Sequence, residues 1–441
     1  MPEQLQSTSS PPLLKRELNV WDAVWLGLGS MLGTGVFVSI GIAAGLAGPA
    51  VILAVAIAAV VATCNGLSSA QLAANHPVSG GTYEYGYRYL TPWLGFIAGW
   101  TFLLAKSASA ATAALGFAGY VLSTIAPDRP TLLIPTALML VLVLTVLVLG
   151  GVRRSSMANT LMVAITLLAL VFFVVAGLPQ VIASEGRNLI PVGDVTEGQY
   201  SVGAFLQATA LIFVAYTGYG RIATLGEEVR HPRRTIPKAI LIAMLITMLL
   251  YISVAIVSVG AVGAPLLGSA AEVQAAPLEM AARSFGIPGS ASVLAVGAVT
   301  AMVGVVLNLI LGLSRVLLAM ARRHDVPFSL ARLNVAKTTP AAAVWLVGGA
   351  IAVLVLVGNV KTTWSFSAFT VLIYYAITNV AALKLSAQER LYPRWTAWLG
   401  LAACLFLAFW VEWEIWLMGL VLIAIGAVWH GMMQWSRNQS N

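Results

Sequence analysis

Apolar runs of about 17 to 25 residues recur along this chain from near residue 20 to residue 434, the length a helix needs to cross a hydrocarbon core of roughly 30 Å. About twelve are expected by that length rule, at 20–45, 49–74, 92–123, 131–150, 158–178, 202–227, 236–262, 290–321, 341–358, 363–385, 396–411 and 413–434. The fold class that follows is an all-α integral membrane bundle, because in lipid the backbone must satisfy its own hydrogen bonds. Composition agrees. Of the 441 residues 59% are hydrophobic and 9% charged, whereas a soluble domain carries about a quarter charged residues. No loop has room for a soluble domain. Residues 1–14, rich in Ser, Pro and Gln, lack the basic start and apolar run of a cleaved leader and are expected to be a disordered, retained tail.

The formal charge of +8 raises the question of nucleic acid, but its distribution answers it. Lys and Arg gather in alternate loops, as at Arg230, Arg233, Arg234 and Lys238 or at Arg322 and Arg323, while the other side holds only Arg129, Arg187, Arg283 and Lys361. That asymmetry predicts a multi-pass protein of the plasma membrane with both termini cytoplasmic, having the bilayer and no nucleic acid as its partner. The two cysteines, Cys64 and Cys404, fall inside apolar runs, so no disulfide framework is expected. His76, His231, His324 and His430 lack ligand spacing and are read as solvated loop residues, which leaves no metal site. Neither a Ser/His/Asp set, an HExxH, a P-loop nor a paired intramembrane carboxylate is present, so no catalytic residue, cofactor or enzyme activity is expected.

Two glycine clusters interrupt the apolar runs. Gly27, Gly29, Gly33 and Gly35 fall within nine residues of the first run, where each lowers helix propensity by about 1 kcal/mol relative to alanine. Close helix packing through small residues is the alternative use for them. The second cluster, Phe213 to Gly220, holds the corresponding place in the sixth run if runs one to five and six to ten are two copies. Paired interruptions of this kind point to a transport site. A helix broken in mid-membrane bares amide N–H groups at one end and carbonyls at the other, and these attract opposite charges. An α-amino acid offers both charges one carbon apart, so amides near Thr34 and Gly35 suit its carboxylate and carbonyls near Val214, Ala215 and Thr217 its ammonium.

These residues resemble the amino acid-polyamine-organocation transporters, in particular the cationic amino acid transporter branch and its bacterial relatives. Gly29-Ser30-Met31-Leu32-Gly33-Thr34-Gly35-Val36-Phe37 is similar to the family's broken first helix, and Pro77-Val78-Ser79-Gly80-Gly81-Thr82-Tyr83 to its signature between helices 2 and 3. Gly226-Glu227-Glu228-Val229-Arg230-His231-Pro232 is similar to the loop after helix 6, and Ser314-Arg315 with Met320-Ala321-Arg322 to the end of helix 8. The resemblance implies a LeuT-like five-plus-five inverted repeat with broken helices 1 and 6, covering 15–178 and 202–385, two further helices in 396–434, and alternating access. It places the carboxylate at Ser30, Met31, Gly33, Thr34 and Gly35, the amine at Val214, Ala215 and Thr217, and the outer gate at Tyr216 and Gly218.

Departures from the family pattern bear on coupling. Where proton-coupled relatives carry a helix 5 lysine this chain has Thr166, and Lys106 stands in helix 3 where the cationic branch commonly has glutamate. Lys106 is expected to be a proton-sensitive or fixed cation beside the broken helix, or else to snorkel into a vestibule. Thr166 is the alternative, an oxygen ligand for sodium. The coupling ion is expected to be a proton, or transport to be exchange, ahead of sodium. Glu227 and Glu228 are candidates to pair with Arg315 or Arg322 as an inner gate, with a solvated charge run the plainer reading. Arg221 also departs from the family and is a candidate lining of the inner cavity. The runs supply no obvious acid for a cationic side chain, and Val214 stands where arginine exchangers place a tryptophan. Small or aliphatic neutral L-amino acids are the expected substrates, a cationic amino acid or polyamine exchanger the alternative, and a non-transporting sensor the rival on the same fold.

Overall fold

The computed structural model describes residues 17–78, 80–150, 156–190, 201–333 and 339–440. The tail 1–14 and Ser79 lie outside these residues. Among the described residues regular structure is helical apart from one bridge pairing Leu18 with Val229, which ties the chain's entry to the loop after the second interruption.

The first helix is defined by its ends. Asn19 caps α1 (Val20–Met31), accepting from the amides of Trp21 and Asp22 at 2.7 and 3.1 Å, while the Asp22 carboxylate accepts the Asn19 N–H at 2.9 Å. The helix stops at Met31, Leu32 is extended, and the chain resumes through a π-helical turn, Gly35–Ser39, into α2 (Ile40–Ala47). π turns are rare and concentrate at functional sites. There follow α3 (Val51–Asn75), the short α4 (Thr82–Tyr89), α5 (Pro92–Ile125), α6 (Leu133–Leu149) and α7 (Ser156–Ala183). Thr91 caps α5 and Pro92 opens it, where its missing N–H costs nothing.

The second interruption lies at the expected place but differs in kind from the first. Helix α8 (Val202–Tyr216) tightens into a 3-10 turn, Thr217–Tyr219, before the four-residue α9 (Gly220–Ala223), so backbone dihedrals stay helical throughout. The run ends at Ala223, not 227. Helices α10 (Pro232–Val262), α11 (Ala264–Val273), α12 (Pro277–Arg283), α13 (Ser290–Arg322), α14 (Ala341–Val357), α15 (Val360–Leu383), α16 (Arg394–Ala408) and α17 (Trp413–Ser440) complete the chain. Among the described residues nine helical segments are long and apolar enough to cross a membrane, and α14 and α16 are shorter apolar helices.

Lipid tails are as apolar as the bundle interior, so contacts between small and hydroxylic residues decide which helix faces go inward. Helices α5 and α15 form the middle. Their Ser109 and Ser367 hydroxyls lie 2.7 Å apart and those of Thr112 and Thr363 2.8 Å apart, with Thr82 and Thr378 at 2.7 Å continuing the line into α4. The exposed face of α7, with Leu161, Leu168 and Val175, and that of α6, with Leu142 and Val146, give the bundle an apolar outer surface.

At the end of the bundle where α13 finishes, Asp325 accepts from both Tyr83 and Tyr87 of α4 at 2.7 Å and lies 3.5 Å from His430 Nδ1. His430 is therefore no solvated loop residue. It is buried on α17 and stacks on Phe96 with ring centroids 4.4 Å apart. Because its neighbours come from α5 and from the end of α13, far away in the chain, local spacing gave no sign of them.

Candidate functional site

The two interruptions cross. A Cβ on Gly218 would lie 2.4 Å from the backbone carbon and oxygen of Ser30, and one on Gly35 would lie 2.4 Å from Ala215 Cβ. Only hydrogens fit there, so the backbones of the two segments touch. The other glycines of the first cluster serve packing: Gly27 abuts Ile222 and Gly29 abuts Asn159 and Val163 of α7. Both readings of the cluster thus hold, at different positions.

Tyr251 of α10 ties the crossing together. Its hydroxyl donates to the Met31 carbonyl at 2.6 Å and also approaches the Ala215 carbonyl at 3.4 Å. Tyr375 of α15 donates to the Thr217 carbonyl at 3.1 Å, and the Thr217 hydroxyl donates to the Val214 carbonyl at 2.7 Å. The carbonyls of Val214 and Thr217 are therefore already engaged, Val214 also accepting the Thr217 N–H and Thr217 also the Gly220 N–H, while the Ala215 carbonyl takes the longer Tyr251 contact.

Between the interruptions lies a cavity of about 60 Å³. Ser30, Met31, Gly33, Thr34 and Gly35 line one side and Val214, Ala215 and Thr217 the other. The wall is completed by Lys106 and Ser109 of α5, Val305, Asn308 and Leu309 of α13, and Trp364 of α15. The Thr34 hydroxyl is buried and has no hydrogen-bond partner among the described residues, as expected of a group awaiting a ligand. Lys106 Nζ donates to the Thr217 hydroxyl at 2.8 Å, which ties α5 to the second interruption beside the cavity that Lys106 also lines.

Not every expected residue meets here. Tyr216 is fully buried away from this cavity, its ring 5.1 Å from that of Tyr251 and its hydroxyl 3.3 Å from the Val55 carbonyl. Gly218 lines a second, larger cavity instead. Thr166 sits between α7 and α13, donating to the Met162 carbonyl at 2.8 Å with the Gly297 carbonyl at 3.5 Å, and is not part of the cavity wall. Conversely, Ser109, Asn308 and Trp364 escaped sequence reasoning. Asn308 alone left a trace, as a single amide in the otherwise apolar run 302–313; Trp364 was indistinguishable from the tryptophans of a membrane interface.

A second cavity, of about 200 Å³, continues from the first toward the end of the bundle where α1 begins and α13 finishes. Ser30, Lys106, Thr217, Asn308 and Leu309 line both. Arg221, Glu228 and Arg315 stand on its wall. Beyond it, Arg323 binds Glu84 at 2.5 Å and lies over the Tyr87 ring, 4.5 Å from its centroid.

Interrupted apolar helices around a small, largely apolar cavity with a few polar groups fit one class, the multi-pass helical membrane transporters. Residues 22–439 match the family described as amino acid permease, and the chain belongs to that family. It is a permease and not an enzyme, an integral membrane protein whose substrates are amino acids. Relatives include a transporter of Mycobacterium tuberculosis, 39% identical over 432 residues that span 98% of this chain and 94% of the relative. A branched-chain amino acid permease of Bacillus subtilis is 28% identical over 449 residues, spanning 96% and 94%. A vacuolar cationic amino acid transporter of Arabidopsis thaliana is 27% identical over 365 residues, spanning 78% of this chain and 59% of the relative.

Proposed function

We propose that this permease carries small or aliphatic neutral L-amino acids across the plasma membrane by alternating access, both termini being cytoplasmic, with proton coupling or exchange as the driving mode. The observation that carries the reading is the crossing of two interrupted helices around one cavity, lined by Thr34 and Gly35 on one side and by Ala215 on the other. Twelve membrane crossings in two inverted repeats, 15–178 and 202–385, followed by the helices of 396–434, accord with the helix order and with corresponding interruptions in each half. Val214, Val305, Leu309 and Trp364 make the remaining wall apolar and short, which favours an aliphatic side chain and fits the named substrate of the Bacillus relative.

A cationic amino acid is the second reading, because the Arabidopsis relative bears that name. Against it, among the described residues no carboxylate lines the central cavity and Lys106 does, so a second cation there would meet repulsion in a low dielectric. Purified protein in liposomes, given labelled alanine, leucine, arginine and putrescine under imposed pH or sodium gradients, tests both. Uptake of alanine or leucine driven by a pH gradient or by internal amino acid, and not by sodium, is expected. Arginine uptake at comparable rates would favour the second reading, and no counterflow of any amino acid would leave a sensor.

A further inference from the structure

The second cavity carries two guanidinium groups, Arg221 and Arg315, that the central site does not use. Together with Lys106, shared with the central cavity, they stand on its wall against a single carboxylate among the described residues, Glu228, a formal excess of two positive charges. Among the described residues none of the three cations forms an ion pair. Arg221 Nε is buried without a hydrogen-bond partner, and Arg315 lies within electrostatic reach of the same guanidinium. Removing a guanidinium from water with a donor unanswered is costly, and an anion in the cavity removes that cost. The planar fork of arginine matches the two oxygens of a carboxylate, which a spherical ion cannot reproduce.

We propose that Arg221 and Arg315 form a second binding site in this permease, one that takes the carboxylate of a small solute between the central cavity and the end of the bundle where α1 begins. The cavity's volume of about 200 Å³ admits a small amino acid, whose carboxylate passes from the amides at Thr34 and Gly35 to the two guanidinium groups as it leaves. The carboxylate alone suffices for this site, so the ligand needs no ammonium. That the site is an exit station rests on the transport reading; that it binds a carboxylate does not.

The full-length protein in detergent tests this by thermal unfolding in sodium propionate, sodium chloride or propylammonium at matched ionic strength. Propionate is expected to raise Tm saturably while chloride and propylammonium do not. Arg221→Gln and Arg315→Gln should each weaken the apparent propionate affinity about tenfold or more, and Arg221→Lys should recover part of it. Should Arg221→Gln fail to fold, Arg315→Gln carries the same comparison. Equal stabilisation by chloride, or propionate affinity unchanged in the glutamine variants, overturns the proposal. Loss of alanine counterflow with propionate binding intact would instead count against transport alone.

Discussion

Gly218→Ala puts a methyl carbon 2.4 Å from the backbone of Ser30 and 2.6 Å from the Met31 amide nitrogen. Ordinary carbon contacts lie near 3.5 to 4 Å, so the two interrupted segments must part by about 1 Å or the turn must twist. Neither neighbour is the flexible end of a side chain, and overpacking of this sort costs about 1–3 kcal/mol. If that strain falls on the substrate-bound state, where the segments close on both ends of one molecule, binding weakens by about 5- to 150-fold. The assay is the concentration dependence of alanine counterflow in liposomes, with Tm measured alongside. Gly297→Ala is the comparison for stability, since its methyl would meet Ala169 away from the cavity at 2.3 Å; it should lower Tm with KM unchanged. Gly349→Ala, with open space around it, should change neither. A Gly218→Ala protein with wild-type KM would refute the idea that the crossing forms the site.

Tyr251→Phe removes the hydroxyl that reaches Met31 and Ala215, and the loss of about 0.5–1.5 kcal/mol should raise KM about 2- to 10-fold with only a small fall in Tm. Lys106→Met should alter the pH profile of uptake as well as its rate; identical rate and profile would remove Lys106 from coupling. Trp364→Val should enlarge the central cavity and shift competition from alanine toward leucine or larger side chains. Burial raises the Glu84 carboxyl above its ordinary value of 4.5 despite Arg323, with Asp325 adding to the rise. The folded protein then holds that proton more tightly than the unfolded chain, so this contribution to stability is present below pH 4.5 and fades as pH climbs through the raised value. Glu84→Gln should accordingly flatten the dependence of Tm on pH over that window.

The all-helical membrane fold was legible because lipid imposes length, and length survives without knowledge of neighbours. The first interruption was legible too, since an extended Leu32 beside Gly33 is what a glycine cluster in mid-membrane permits. The second was legible in place but not in kind: Thr217 to Tyr219 stay helical, and glycine content does not distinguish a tightened turn from an open break. Contacts set by helix rotation were not legible. Membrane helices are apolar on every side, so nothing in the local pattern tells Trp364 from an interface tryptophan, turns Tyr216 toward α3, or brings His430 beside Asp325. Lys106 was singled out as a rare buried cation, but its Thr217 partner required two helices far apart in sequence to be brought together.

The central claim is that one zwitterion is gripped at both ends by the bared backbone of two interrupted helices. An experimental structure with alanine bound at saturating concentration tests it most directly. The account predicts the carboxylate within hydrogen-bond distance of the Thr34 and Gly35 amides and the ammonium on the Ala215 carbonyl, with Trp364 beside the methyl group. Alanine bound elsewhere, or an unbroken helix through Leu32 and Gly33 in that state, would contradict it.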